Sequence, residues 1–242
     1  MAWSSVWQDP AVASAFVNER RRWIPLAEEQ LLLLRRIARA SHRPVRRLLD
    51  VGCGDGILAE ALLQEFPGAH AVLLDISEPM LAAARRRFQG RAVTLVAADL
   101  NETAWMSALG SEGPFDVVVS GYCIHHLPDE RKRAVYADIF GLLAPGGLFL
   151  NLEHVASATA WGEGLFNELM IDALHEGLSK SNPRLTRAEV ARGYLERPDR
   201  AANRLAPLEA QLGWLREIGF ESVDCFFKCF ELALFGGARP AA

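Results

Sequence analysis

Asp50-Val51-Gly52-Cys53-Gly54-Asp55-Gly56, entered from Arg47-Leu48-Leu49 and left through Ile57, is the stretch that decides the fold. An apolar strand that ends in an acid and turns through three alternate glycines lets backbone approach a ligand with no Cβ in the way. A helix over Ile57 to Phe66 follows, stopped by Pro67-Gly68. Strand, glycine turn and helix in that order form the first unit of a parallel sheet whose ligand sits at the carboxyl ends of its strands. The dinucleotide fingerprint wants G-x-G-x-x-G, whereas Gly52, Gly54 and Gly56 are each one residue apart. That spacing disfavours a nicotinamide or flavin oxidoreductase.

Outward from the turn, strand-like and helix-like segments alternate. Strand 2 is Ala71–Asp75, and Ser77 caps a helix from Met80 to Phe88. Strand 3 is Val93–Ala97, and strand 4 is Phe115–Ser120. A helix over Asp129–Leu143 ends at Ala144-Pro145-Gly146-Gly147, and strand 5 runs Leu148–Leu152. Upstream, residues 10–22 and 25–40 read as helices, with Pro25 in a first turn and Glu28 and Glu29 opposite Arg35, Arg36 and Arg39 along the dipole. Downstream, helices at about 163–178 and 186–196 break the rhythm. A helix over 207–218 then stops at Gly219, and strands at 222–228 and 230–235 form a hairpin at the sheet edge.

Four motifs in order carry a resemblance. Asp50-x-Gly52-x-Gly54-x-Gly56 is followed by Asp75 at the end of strand 2, Asp99 in Ala97-Ala98-Asp99-Leu100, and Phe115–Ser120 with the Leu142–Leu148 turn. Together, over residues 47–152, they resemble class I, Rossmann-like S-adenosylmethionine-dependent methyltransferases. The resemblance implies an α/β, three-layer sandwich with seven strands in the order 3-2-1-4-5-7-6, strand 7 antiparallel. It implies S-adenosyl-L-methionine as cofactor, held by Asp50, Gly52, Cys53, Gly54, Asp75, Ile76, Met80, Asp99, Leu100 and Ser120. Asp75 would take the ribose diol, Asp99 the adenine amine, and the glycine amides the methionine part. The layout is also similar to the carboxy-S-adenosylmethionine synthase branch, which makes a modified cofactor. A non-catalytic cofactor-binding module stays open beside both.

On the acceptor side, Tyr122-Cys123-Ile124-His125-His126-Leu127 follows strand 4, and Glu153-His154 follows strand 5. His126 is the expected base or acceptor-orienting group, because imidazole titrates near neutrality. His125 is read as packing, and Glu153 and His154 as the second catalytic pair. No metal is expected, since these residues lack an acidic ligand set. Arg20-Arg21-Arg22-Trp23 would close over the cofactor or the acceptor, and Trp161, Phe166 and Met170 line an apolar pocket or pack a core. Lys228 protects an edge strand from aggregation.

The organisation expected is one domain: a helical cap (1–45), a cofactor-binding core (46–152), a helical insertion over the acceptor site (155–205) and a final helix and hairpin (206–237). The acceptor expected is a small molecule. Net charge of −4 disfavours a broad nucleic-acid surface. The charge is uneven, with nine Arg against four acids in residues 1–49, which either attracts an anionic substrate or is solvated helix surface. No apolar run spans a bilayer, no secretory signal is visible, and Cys53, Cys123, Cys225 and Cys229 read as structural thiols. The expected location is cytoplasmic, with a homodimer left open.

Overall fold

The computed structural model describes residues 6–16, 23–41 and 43–241. Seven strands form one sheet: β1 (Arg47–Val51), β2 (His70–Asp75), β3 (Val93–Ala97), β4 (Phe115–Gly121), β5 (Leu143–His154), β6 (Glu221–Cys229) and β7 (Leu232–Ala238). Their order is β3-β2-β1-β4-β5-β7-β6. The first five strands pair in parallel, and β7 runs antiparallel to both β5 and β6. This is the Rossmann-like three-layer arrangement that the motifs imply.

Alternate side chains of the central strands feed two cores, as the period of a strand dictates. Leu49, Val51, Val72, Leu74, Val118 and Phe149 pack on one face with α5 (Asp129–Leu142) and α8 (Leu208–Ile218). Leu48, Leu73, Val117, Val119 and Leu150 pack on the other with α2 (Ala27–Arg39), α3 (Ile57–Glu65) and α4 (Glu78–Arg87). A third, smaller cluster joins α6 (Ala160–Ser179) to α7 (Arg187–Leu195) through Phe166, Met170, Ile171, Leu174, Val190 and Tyr194. Trp23 packs against it, its ring lying where a Cβ on Gly177 would stand.

Several elements differ from the sequence expectation. Strand β5 begins at Leu143, because Leu143 pairs with Phe115 ahead of a bulge, so Ala144–Gly147 belongs to the strand. Glu153 and His154 are consequently the last residues of the strand and do not follow it. Pro25 precedes α2, which starts at Ala27 after Leu26 in a left-handed conformation. Helix α1 covers Pro10–Ala15, capped by the Asp9 carboxylate on the Ala11 amide. The rest of the helix expected at 10–22, with Arg20–Arg22, lies outside the described residues. In the closing hairpin only β6 is an edge strand, and Lys228 is exposed on it. Arg39, Arg43 and Arg47 pair with Glu65, Asp116 and Glu112, at 2.5, 2.8 and 2.5 Å, so these basic residues are matched by acids of the body.

Candidate active site

The turn after β1 sits beside the end of β2, and backbone bonds fix the pair. The Cys53 amide donates to the Leu74 carbonyl at 2.9 Å, and the Gly54 amide donates to Asp75 Oδ2 at 2.8 Å. The Ser77 amide donates to Asp75 Oδ1 at 2.8 Å. Asp75 is 9% exposed, and burial raises its carboxyl above the ordinary range despite these donors. Its ends face a cavity lined by Gly52, Cys53, Gly54, Ile76, Met80 and Leu100. A buried carboxylate with one amide on each oxygen retains lone pairs for a diol. The apolar side chains beside it suit a flat base, so these residues fit a nucleoside ligand.

Two expected ligands stand elsewhere, and a third falls between lining residues. Asp50 is buried beneath the turn with Oδ2 accepting from the Ala59 amide at the start of α3, at 3.0 Å. Ser120 is buried and donates to the Val51 carbonyl at 2.8 Å. Asp99 lies between the lining residues Ala98 and Leu100, and its Oδ1 accepts from the Asn101 amide at 2.8 Å. Asp50 and Ser120 hold the strand ends that shape the cavity and do not line it themselves.

Trp7, which no motif flagged, closes the cavity from above. Its carbonyl accepts from Ser77 Oγ, and Gln8 Nε2 donates to the Ile76 carbonyl at 2.7 Å. Trp7, Phe16, Tyr122 and His126 line this cavity and also a second one. The second cavity is walled by Ile24, Phe166, Met170, Leu174, Tyr194 and Leu232, and so by the small core between α6 and α7. Phe166 and Met170 are therefore in place, whereas Trp161 is 77% exposed and lines neither.

His125, His126 and His154 all reach the second cavity, but with different bonding. His126 Nε2 accepts from Trp7 Nε1 at 3.2 Å, which makes Nδ1 the protonated nitrogen, 3.3 Å from the Ala202 carbonyl. Both nitrogens are occupied, and burial pushes its pKa well below 6.5. His125 Nδ1 is 2.5 Å from Glu153 Oε1, and its backbone amide donates to Oε2 at 3.0 Å. Of these neighbours, His126 is bonded to Trp7 and near the Ala202 carbonyl, and His125 is paired with the Glu153 carboxylate. His154 Nε2 pairs with Glu231, 77 residues on, at 2.7 Å. Glu153 is fully buried, and burial raises its carboxyl to about 7.

A family model described as a methyltransferase domain matches residues 48–147. The carboxy-S-adenosyl-L-methionine synthase of Aeromonas hydrophila is 28% identical over 230 residues, 92% of this chain and 86% of that protein. The trans-aconitate 2-methyltransferase of Acidovorax ebreus is 32% identical over 170 residues, 65% of this chain and 58% of that protein. An O-methyltransferase family protein from Burkholderia thailandensis shares the fold, with a TM-score of 0.66 at 18% identity over 98% of this chain. This chain spans 62% of that solved structure's length. Residues 48–147 are thus a methyltransferase domain on a Rossmann-like sheet, similar to S-adenosylmethionine-dependent methyltransferases and with S-adenosylmethionine as its cofactor.

Proposed function

We propose that this chain transfers the cofactor's methyl group to a small-molecule acceptor held in the second cavity. The observation that carries this reading is the shared boundary: Trp7, Phe16, Tyr122 and His126 line both cavities, so a donor in one adjoins an acceptor in the other. Asp75 takes the ribose diol, Ile76, Met80 and Leu100 flank the adenine, and Asp99 meets its amine. Gly52, Cys53 and Gly54 pass along the methionine part. The bound sulfonium supplies an activated methyl group, and the chain's own residues orient the acceptor and exclude water. His126 sets the wall between the cavities, while Glu153 and His154 act on the acceptor side.

Incubation with methyl-labelled S-adenosylmethionine and a metabolite library tests the reading. Labelled product together with S-adenosylhomocysteine is the expected result. The likeness to the Aeromonas synthase across 92% of the chain supports a second reading, production of a modified cofactor. Mass spectrometry that finds a carboxylated cofactor and no methylated product would decide for it. Cofactor binding without any turnover would leave a binding module.

Asp75→Ala is expected to weaken S-adenosylhomocysteine binding by about 1.5–3 kcal/mol, the worth of hydrogen bonds to a charged group. Asp99→Ala weakens it less, because its partner is neutral and Oδ1 is already committed to Asn101. Calorimetry on the folded variants checks both, and an unchanged affinity in Asp75→Ala removes the ribose assignment.

A further inference from the structure

We propose that the groove between α1 and the α6–α7 pair seats a neutral hydrocarbon chain, carried by the molecule whose head occupies the second cavity. Naming that molecule the methyl acceptor rests on the methyl-transfer reading above; the seat itself does not.

The groove adjoins the second cavity. Leu174, Tyr194, Arg197 and Asp199 line both, so an occupant of the groove meets the cavity at that end. Away from it, the groove extends to Ser181 and Asn182, in the turn that joins α6 to α7. Ala11, Val12, Ala15, Leu178, Leu185 and Val190 give it apolar walls.

Gly193 is a second, independent sign of an occupant. It stands in the last turn of α7 and lines the groove. A Cβ on it would meet nothing within 4 Å among the described residues. A glycine inside a helix costs stability relative to alanine, and close packing against a neighbour is the usual compensation. Here no described neighbour claims the space, and the space belongs to the groove. Across from it, Ala11 and Ala15 keep the wall on α1 equally low.

The polar groups around the groove set the chemistry of the occupant. Asp9 accepts from the Ala11 amide at 2.8 Å, and Glu189 accepts from the Thr186 amide and hydroxyl at 2.8 and 2.7 Å. Ser181 Oγ donates to the Leu178 carbonyl at 3.0 Å, and Arg197 pairs with Asp199 at 3.2 Å. Each is matched within the chain, so the groove offers contact area rather than hydrogen bonds. A peptide laid there would strip water from its backbone amides with nothing in return, whereas a hydrocarbon has no such loss. Three carboxylates against one guanidinium also disfavour an anionic chain. A slim neutral chain with its head in the second cavity meets both constraints.

The test uses the whole chain saturated with S-adenosylhomocysteine and a series of N-alkyl dansylamides from ethyl to dodecyl, with binding read by dansyl fluorescence. Affinity is expected to rise by up to about fourfold per added methylene, the worth of burying one CH₂, and to level off once the groove is full. Gly193→Trp fills the groove from its own wall. It is expected to lower affinity for the dodecyl probe by at least about tenfold, the worth of about two buried methylenes, with affinity for the ethyl probe and for S-adenosylhomocysteine retained. Gly164→Trp is the control, because it also replaces a helical glycine with open space around it, on α6 and away from the groove. Affinity that ignores chain length, wild-type binding of the dodecyl probe in Gly193→Trp, or an equal loss in Gly164→Trp overturns the proposal.

Methyl transfer is scored separately, with labelled S-adenosylmethionine and the organic-soluble and water-soluble fractions of a metabolite extract. Label that enters the organic fraction and falls in Gly193→Trp makes the chain-bearing molecule the acceptor. Label confined to the water-soluble fraction and undiminished in Gly193→Trp overturns the proposal and leaves methyl transfer standing. No label in either fraction, with the dodecyl probe bound by the wild type and lost in Gly193→Trp, sinks the methyl-transfer reading and leaves the seat standing.

Discussion

Glu153→Gln is expected to make the fold more sensitive to acid between pH 5 and 6 than the wild type. Three buried groups beside the second cavity titrate differently in the folded and unfolded chain. Glu153 is raised from 4.5 to about 7 by burial. In that interval the folded chain keeps a proton that the unfolded chain has released. Its contribution to stability is thus present at low pH and lost as pH rises. His125 and His126 are held well below 6.5 by burial, so the unfolded chain binds protons that the fold refuses. Their contribution is present above 6.5 and lost as pH falls. Each unmatched proton changes stability by about 1.4 kcal/mol per pH unit. In the wild type, the proton that Glu153 takes up on folding offsets part of what His125 and His126 give up. The glutamine variant cannot take that proton up, so its slope is steeper than the wild type's by up to about 1.4 kcal/mol per unit. Urea unfolding at pH 5, 6 and 7 measures this. Parallel stability curves for the two proteins would show that Glu153 does not hold a proton that His125 gives up on folding.

That coupling explains why the acceptor side was only half legible. Asp50 to Gly56 declared the cofactor side because its geometry is local: strand, turn and helix are contiguous, and Asp75 is the next strand's end. The strand order came with the resemblance to a family and was found unchanged. His125 and His126 stand one residue apart on a short 3₁₀ turn, where no periodicity tells which ring meets which neighbour. Their roles are set by Glu153, 28 residues on, and by Trp7, 119 residues back, contacts that only the folded sheet creates. Trp7 carried no motif because its task is to cover, and any aromatic-sized residue in a helical segment looks alike in sequence. The start of β5 misled for a similar reason. Pro145-Gly146-Gly147 is a good helix stop, and pairing between Leu143 and Phe115 overrides it. Phe166 and Met170 were equally consistent with core and with pocket, and they serve as both.

Gly52→Val is expected to remove cofactor binding, lowering affinity for S-adenosylhomocysteine more than about 100-fold. Two independent costs meet at this position. Gly52 has φ of +67°, a conformation that costs a residue with a side chain about 1–2 kcal/mol and a β-branched one more. A Cβ there would also stand 2.0 Å from Cys123 Sγ and 2.4 Å from Cys123 Cβ. Overpacking of this kind costs about 1–3 kcal/mol when neighbours can yield. Here relief has few routes. The turn is tied at Cys53 to the Leu74 carbonyl and at Gly54 to Asp75, so rotating it out of the way breaks the bond that orients the proposed ribose carboxylate. Pushing Cys123 instead moves the turn to which the His126 amide is bonded through the Cys123 carbonyl. Either response deforms the first cavity, and the second response deforms both. Gly68→Ala is the matched control, because a Cβ at Gly68 meets nothing within 4 Å. Calorimetry should find S-adenosylhomocysteine binding kept in Gly68→Ala and lost in Gly52→Val, with circular dichroism showing the sheet intact in both. If Gly52→Val bound the cofactor as the wild type does, the first cavity would not be its seat, however well Asp75 fits a diol.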